Sequence, residues 1–61
     1  MTKQQKKQIE MARAYIQNGM ADCAARSVSA LIRSAMSAKS RNALLAFATE
    51  NNIQSHPDFI I

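Results

Sequence analysis

The sequence predicts an all-α fold: a small three-helix domain, made of an antiparallel helical hairpin plus a third packed helix, closed by a docked apolar C-terminal tail. Three observations predict it. Apolar residues recur every three to four positions along most of the chain, the spacing that stacks side chains on one face of a helix. Breaks near positions 19 and 38 cut that pattern into three segments. One glycine and one proline leave little turn chemistry for β-hairpins, while alanine and the unbranched helix formers are plentiful.

The first helix is predicted over residues 3–18, with Thr2 as N-cap and Gln5 three positions later in capping-box spacing. Gln5, Ile9, Ala12, Ile16 and Met20 fall in one stripe that Met11 and Tyr15 widen, and Lys6, Lys7, Glu10, Arg13 and Gln17 turn away. Gly19 ends this helix.

The second helix is predicted over residues 21–36, with Ala21, Ala24, Val28, Leu31, Ile32 and Ala35 facing the core. Its polar arc is Asp22, Arg26, Ser29, Arg33 and Ser37, and Asp22 stands four residues before Arg26, the spacing of a helix-surface ion pair. The remaining flank, Cys23, Ser27, Ala30 and Ser34, is a strip of small side chains. Such a strip permits close approach by another helix, from the same chain or a second copy; equally, serine is tolerated on any exposed helix face.

Ser37-Ala38-Lys39-Ser40 is the next connection and carries two N-cap candidates, of which Ser40 stands directly before the fresh apolar run. The third helix then spans residues 41–51 and presents Leu44, Phe47 and Ala48, with Leu45 alongside. Asn51 and Asn52 tolerate the left-handed conformation that closes a helix, and Ile53 supplies the hydrophobic contact that accompanies it. In the tail, residues 53–61, Ser55 and Asp58 have capping-box spacing around Pro57, which predicts a short helical turn. Phe59, Ile60 and Ile61 come last, and three large apolar residues predict docking, on the chain's own core or on another subunit.

A 61-residue chain is one domain, and one of that size buries only about 60% of the surface its unfolded form exposes. Small scaffolds offset this with disulfides, metals or partners. Cys23 is the sole cysteine, so an intrachain disulfide is excluded and a cytoplasmic setting is expected. There is no signal-peptide or membrane-spanning stretch in the pattern, and no membrane association is expected. Eight basic against four acidic residues give a formal net charge of +4, which favours encounters with anionic partners without requiring one.

One histidine, one cysteine and four scattered acids do not form a metal-ligand set, and Gly19 stands outside any phosphate-cradling pattern. Cys23 and His56 lie on separate segments with nothing in the spacing to pair them as nucleophile and base. No catalytic residue, metal, cofactor or small-molecule substrate is therefore expected. Arg33, Lys39, Ser40, Arg41 and Asn42 cluster at the second connection, where a helix dipole would add to the positive charge. In a helix-turn-helix arrangement Arg41 would address guanine and Asn42 adenine, although an ordinary solvated loop has the same composition. A reader centred on Gly19-Met20 fits worse, because Asn18 stands where an apolar residue is wanted. The first expectation is thus a non-catalytic protein-protein interaction module. It self-associates as a homodimer or binds another protein through Cys23, Ser27, Ala30, Ser34, Phe59, Ile60 and Ile61. A small DNA- or RNA-binding regulator acting through residues 33–42 is the alternative.

Overall fold

A computed structural model describes residues 3–61; the expected Thr2 cap lies outside the described residues. Among the described residues three helices make the domain: α1 (Lys3–Gln17), α2 (Ala21–Ser34) and α3 (Ala38–Glu50). α1 and α2 form the antiparallel hairpin, and α3 packs on α2. Among the described residues the backbones of α1 and α3 stay more than 8 Å apart, so α2 is the middle element. The Arg13 guanidinium of α1 nevertheless reaches across to lie 5.6 Å from the centre of the Phe47 ring on α3. A cation over an aromatic face is worth about 0.5–1 kcal/mol at an exposed site.

The core is built largely on alanine. Ala12, Ala24, Ala25 and Ala48 are fully buried and pack with Val28, Ile32, Leu44, Phe47 and Ile53, while Ile9, Tyr15, Ile16, Leu31, Leu45 and Phe59 cover the edges. Alanine at a contact lets two helix axes approach closely, which is how a chain with few large side chains still fills its interior. The expected core face of α2 is present, but Ala21 and Leu31 are only half-buried, and Ala25 and Ser29 are buried instead. Helical spacing alone puts Ser29 on the polar arc. Because α3 covers a second side of α2, that position is enclosed, and the hydroxyl is satisfied by donating to the Arg26 carbonyl at 3.1 Å.

α1 and α3 end in the same way. The Met20 N–H bonds the Tyr15 carbonyl and the Gly19 N–H bonds the Ile16 carbonyl, with Gly19 at φ +74°. At the other site the Ile53 N–H bonds the Ala48 carbonyl and the Asn52 N–H bonds the Thr49 carbonyl, with Asn52 at φ +58°. Both are paired six-to-one and five-to-two closures around a left-handed residue. A Cβ on Gly19 would meet nothing within 4 Å, so its backbone angle alone selects glycine there. Asn18 leaves the first helix one residue earlier than expected and bonds the Ala14 carbonyl through its side-chain amide at 2.8 Å.

The second connection differs from expectation. α2 stops at Ser34, two residues before the predicted Met36, because Ala35 turns to an extended conformation. Ser37, not Ser40, caps α3: its hydroxyl accepts from the Ser40 N–H at 3.2 Å, and its carbonyl accepts from the Arg41 N–H. Starting at Ala38 instead of Arg41 adds most of a turn. It also places Ser40 on the face of Leu44 and Phe47, four and seven positions on, where it is buried. Met36, left in the connection, is 98% exposed. α3 ends at Glu50, with Asn51 as its cap.

Three substitutions check these local assignments by chemical denaturation. Gly19→Ala forces a side chain into the left-handed region and is expected to cost about 1–2 kcal/mol. Ser37→Ala removes the cap acceptor and is expected to cost about 1 kcal/mol; a larger loss from Ser40→Ala, with Ser37→Ala silent, would restore Ser40 as the cap.

Candidate functional site

The tail folds back through hydrogen bonds made one after another. Ile53 is 2% exposed. The His56 N–H donates to the Ile53 carbonyl at 3.0 Å, and the Phe59 N–H donates to the His56 carbonyl at 3.0 Å. The expected helical turn capped by Ser55 is not what forms: the segment is a chain of turns, and the acceptor is the His56 imidazole, whose Nδ1 takes the Asp58 N–H at 3.1 Å. An acceptor reaching the amide two residues on is the same device that asparagine and aspartate use in turns, here made by a ring nitrogen. Pro57 lies between donor and acceptor, and it has no N–H of its own to satisfy.

Beyond the turn, Phe59 is half-buried against the core, so this part of the tail docks on its own chain. Arg33, on α2, donates from Nη1 to the Ile60 carbonyl at 2.8 Å. That contact holds the backbone of the tail to the side of α2, yet Ile60 and Ile61 remain 62% and 64% exposed. A fixed strand of main chain therefore presents two large apolar groups to solvent. Nothing in the sequence alone pairs Arg33 with residue 60, because the contact spans 27 positions.

The small-residue strip of α2 is divided by its surroundings. Cys23 and Ser27 are half-buried, whereas Ala30 and Ser34 are exposed. Ser27 joins Gln8, Met11 and Tyr15 of α1 around a shallow groove of about 250 Å³. Sites that enclose drug-sized ligands run from about 300 to 1,000 Å³, so this groove is a small one. Its α1 wall is legible in the sequence as the flank next to the core stripe, since residues 8, 11 and 15 have helical spacing. Met11 is 48% exposed there, and the expected apolar stripe thus extends onto open surface. Ser34 turns its hydroxyl back to the Leu31 carbonyl at 3.2 Å.

The basic cluster is also reorganised. Arg33, although exposed, is engaged with the tail and Ser40 is buried, so the exposed groups of the cluster away from the tail are Lys39, Arg41 and Asn42, all in the first two turns of α3. The Asp22–Arg26 ion pair expected from spacing forms at 3.3 Å, with both side chains more than half exposed, where such a pair contributes about 0.3–0.5 kcal/mol. Arg26 also lies 3.6 Å from the Cys23 sulfur. His56 meets Asp58, and among the described residues it makes no hydrogen bond with Cys23.

Among the described residues no helix is long and apolar enough to cross a membrane, and no three His, Cys, Asp or Glu side chains come together. No protein-family model, curated protein or solved structure matches the chain. The geometry of the tail and of the open helix faces is therefore what bears on function.

Proposed function

We propose that this chain is a non-catalytic helical interaction module that self-associates through its tail. The observation carrying this reading is the Arg33–Ile60 bond, which fixes main chain while leaving Ile60 and Ile61 turned to water. Ordering normally opposes association, because each segment immobilised at a contact costs conformational entropy. Here part of that ordering is already done within the folded chain. Burying an isoleucine side chain is worth about 1.5–3 kcal/mol when it goes from exposed to enclosed, and a two-fold contact uses each residue twice.

Two isoleucines are a small part of the roughly 800 Å² that each partner contributes to a standard interface. The contact accordingly extends along the open flank of α2, where Ala30 and Ser34 permit close approach beside the Arg33 that holds the tail. Phe59 belongs to the base of the surface, and Cys23 and Ser27 lie at the half-buried end of the same strip. A thin alanine core supports the same reading, since a second subunit adds the buried apolar area that a 61-residue chain lacks. A lone unpaired cysteine is compatible with a cytoplasmic setting.

The nucleic-acid reading keeps one specific observation. Lys39, Arg41 and Asn42 are exposed at the start of a helix that comes after α2 across a three-residue connection, residues 35–37. That is the connection length of helix-turn-helix readers, although Arg33 is occupied by the tail and Ser40 is buried.

Sedimentation over a range of protein concentrations separates the readings. The parent is expected to show reversible mass increase, and the double variant Ile60→Ser, Ile61→Ser to associate at least 10-fold more weakly with unchanged helical circular dichroism. A strict monomer at high concentration, with an ordered tail, removes self-association. Duplex binding that falls steeply with added salt, and that weakens further in Arg41→Ala, would instead establish the nucleic-acid reading; no binding at low salt removes it.

A further inference from the structure

The turn that carries the tail is closed by a side chain that changes its hydrogen-bonding sense with pH. His56 Nδ1 accepts the Asp58 N–H at 3.1 Å, which requires that nitrogen to be unprotonated and the ring proton of the neutral form to sit on Nε2. The same nitrogen lies 3.9 Å from Asp58 Oδ2. Once protonated, Nδ1 becomes a donor facing another donor, and the carboxylate beside it becomes the better partner. The ring thus has two partners on one residue, the Asp58 amide when neutral and the Asp58 carboxylate when charged.

We propose that His56 is a proton-operated latch on the tail: neutral, it closes the 56–59 turn and holds Ile60 and Ile61 in their presented position; charged, it swings to the Asp58 carboxylate and frees the tail. The part about presentation rests on the reading of Ile60 and Ile61 as the contact surface. Closure of the turn is coupled to docking by position. The Phe59 N–H bonds the His56 carbonyl, Phe59 packs on the core, and the next carbonyl is the one Arg33 holds. A shift at Asp58 therefore acts at both neighbours at once.

Both side chains of the pair reach solvent. That of His56 is 31% exposed and that of Asp58 43%, so protons reach both. The charged groups that contact this part of the tail are Asp58 itself, 3.9 Å from the ring nitrogen, and Arg33 of α2, which bonds the Ile60 carbonyl. Among the described residues only Asp58 comes within 4 Å of the imidazole as an ion-pair partner.

The test is amide hydrogen exchange by NMR on the full chain, at dilutions where it is monomeric, at pH 7.5 and pH 5.5. Each rate is expressed as a protection factor so that the intrinsic pH dependence cancels. Protection of the Asp58 and Phe59 amides is expected to fall at least 5-fold on acidification, with Leu44 in the core unchanged. His56→Asn retains a side-chain acceptor for the Asp58 N–H but does not titrate, and its protection is expected to stay within 2-fold across the range. Equal protection in the parent at both pH values, or an equal fall in His56→Asn, overturns the latch whatever the association state. A pH-dependent tail in a chain that never associates supports the latch and rejects self-association, so the two failures are told apart.

Discussion

The middle helix must lose two of its sides to neighbours, and this demand shapes the rest of the molecule. α2 contacts both α1 and α3, while those two helices do not meet at the backbone among the described residues. A helix in that position needs a wide apolar arc, and α2 has one only because Ala24 and Ala25 extend the stripe of Val28 and Ile32. Small residues serve here better than large ones. They let both neighbours come close, so contacts are dense although the side chains are short. The cost is sensitivity, since close-packed alanines leave no room for an added methylene.

That arrangement also explains where polar groups ended up. A hydroxyl within a doubly covered arc has to find its partner locally, and Ser29 does so on the preceding turn of its own helix. Among the described residues no buried side-chain oxygen or nitrogen lacks a partner. On the uncovered side, α2 keeps its cations with Ala30 and Ser34, and it is from there that Arg33 reaches the tail. The middle helix thus organises the core on one side and the candidate contact surface on the other.

The tail joins these two regions. Its first residue, Ile53, is part of the core, and the fold-back at Asn52 directs the remainder of the chain along the outside. Phe59 returns to the core edge, and Ile60 and Ile61 leave it. A path that goes in, turns and comes out again is held by few bonds, each between neighbours except the one from Arg33. Segments with few buried contacts open at low free energy, which makes this the part of the chain most readily coupled to binding or to a change of charge.

By itself the sequence determined the helical class, the core face of α3, the centre of the core faces of α1 and α2 but not their edges, where Met11 and Met20 are exposed, the Asp22–Arg26 pair, and the chain reversal at Gly19, with Asn51 and Asn52 both open for the second. These depend on periodicity and on left-handed backbone energies, which act within a few residues. Tertiary structure decided between Ser37 and Ser40 as the cap, since both satisfy the local rule and only the first lets Ser40 share the inward face with Leu44. It likewise decided that Ser29 is enclosed, that Arg33 holds a carbonyl 27 positions away, and that Phe59 packs at home while Ile60 and Ile61 do not. The physical reason is the same in each case: which side of a helix is covered a second time depends on where a distant element comes to rest, and local spacing carries no record of that.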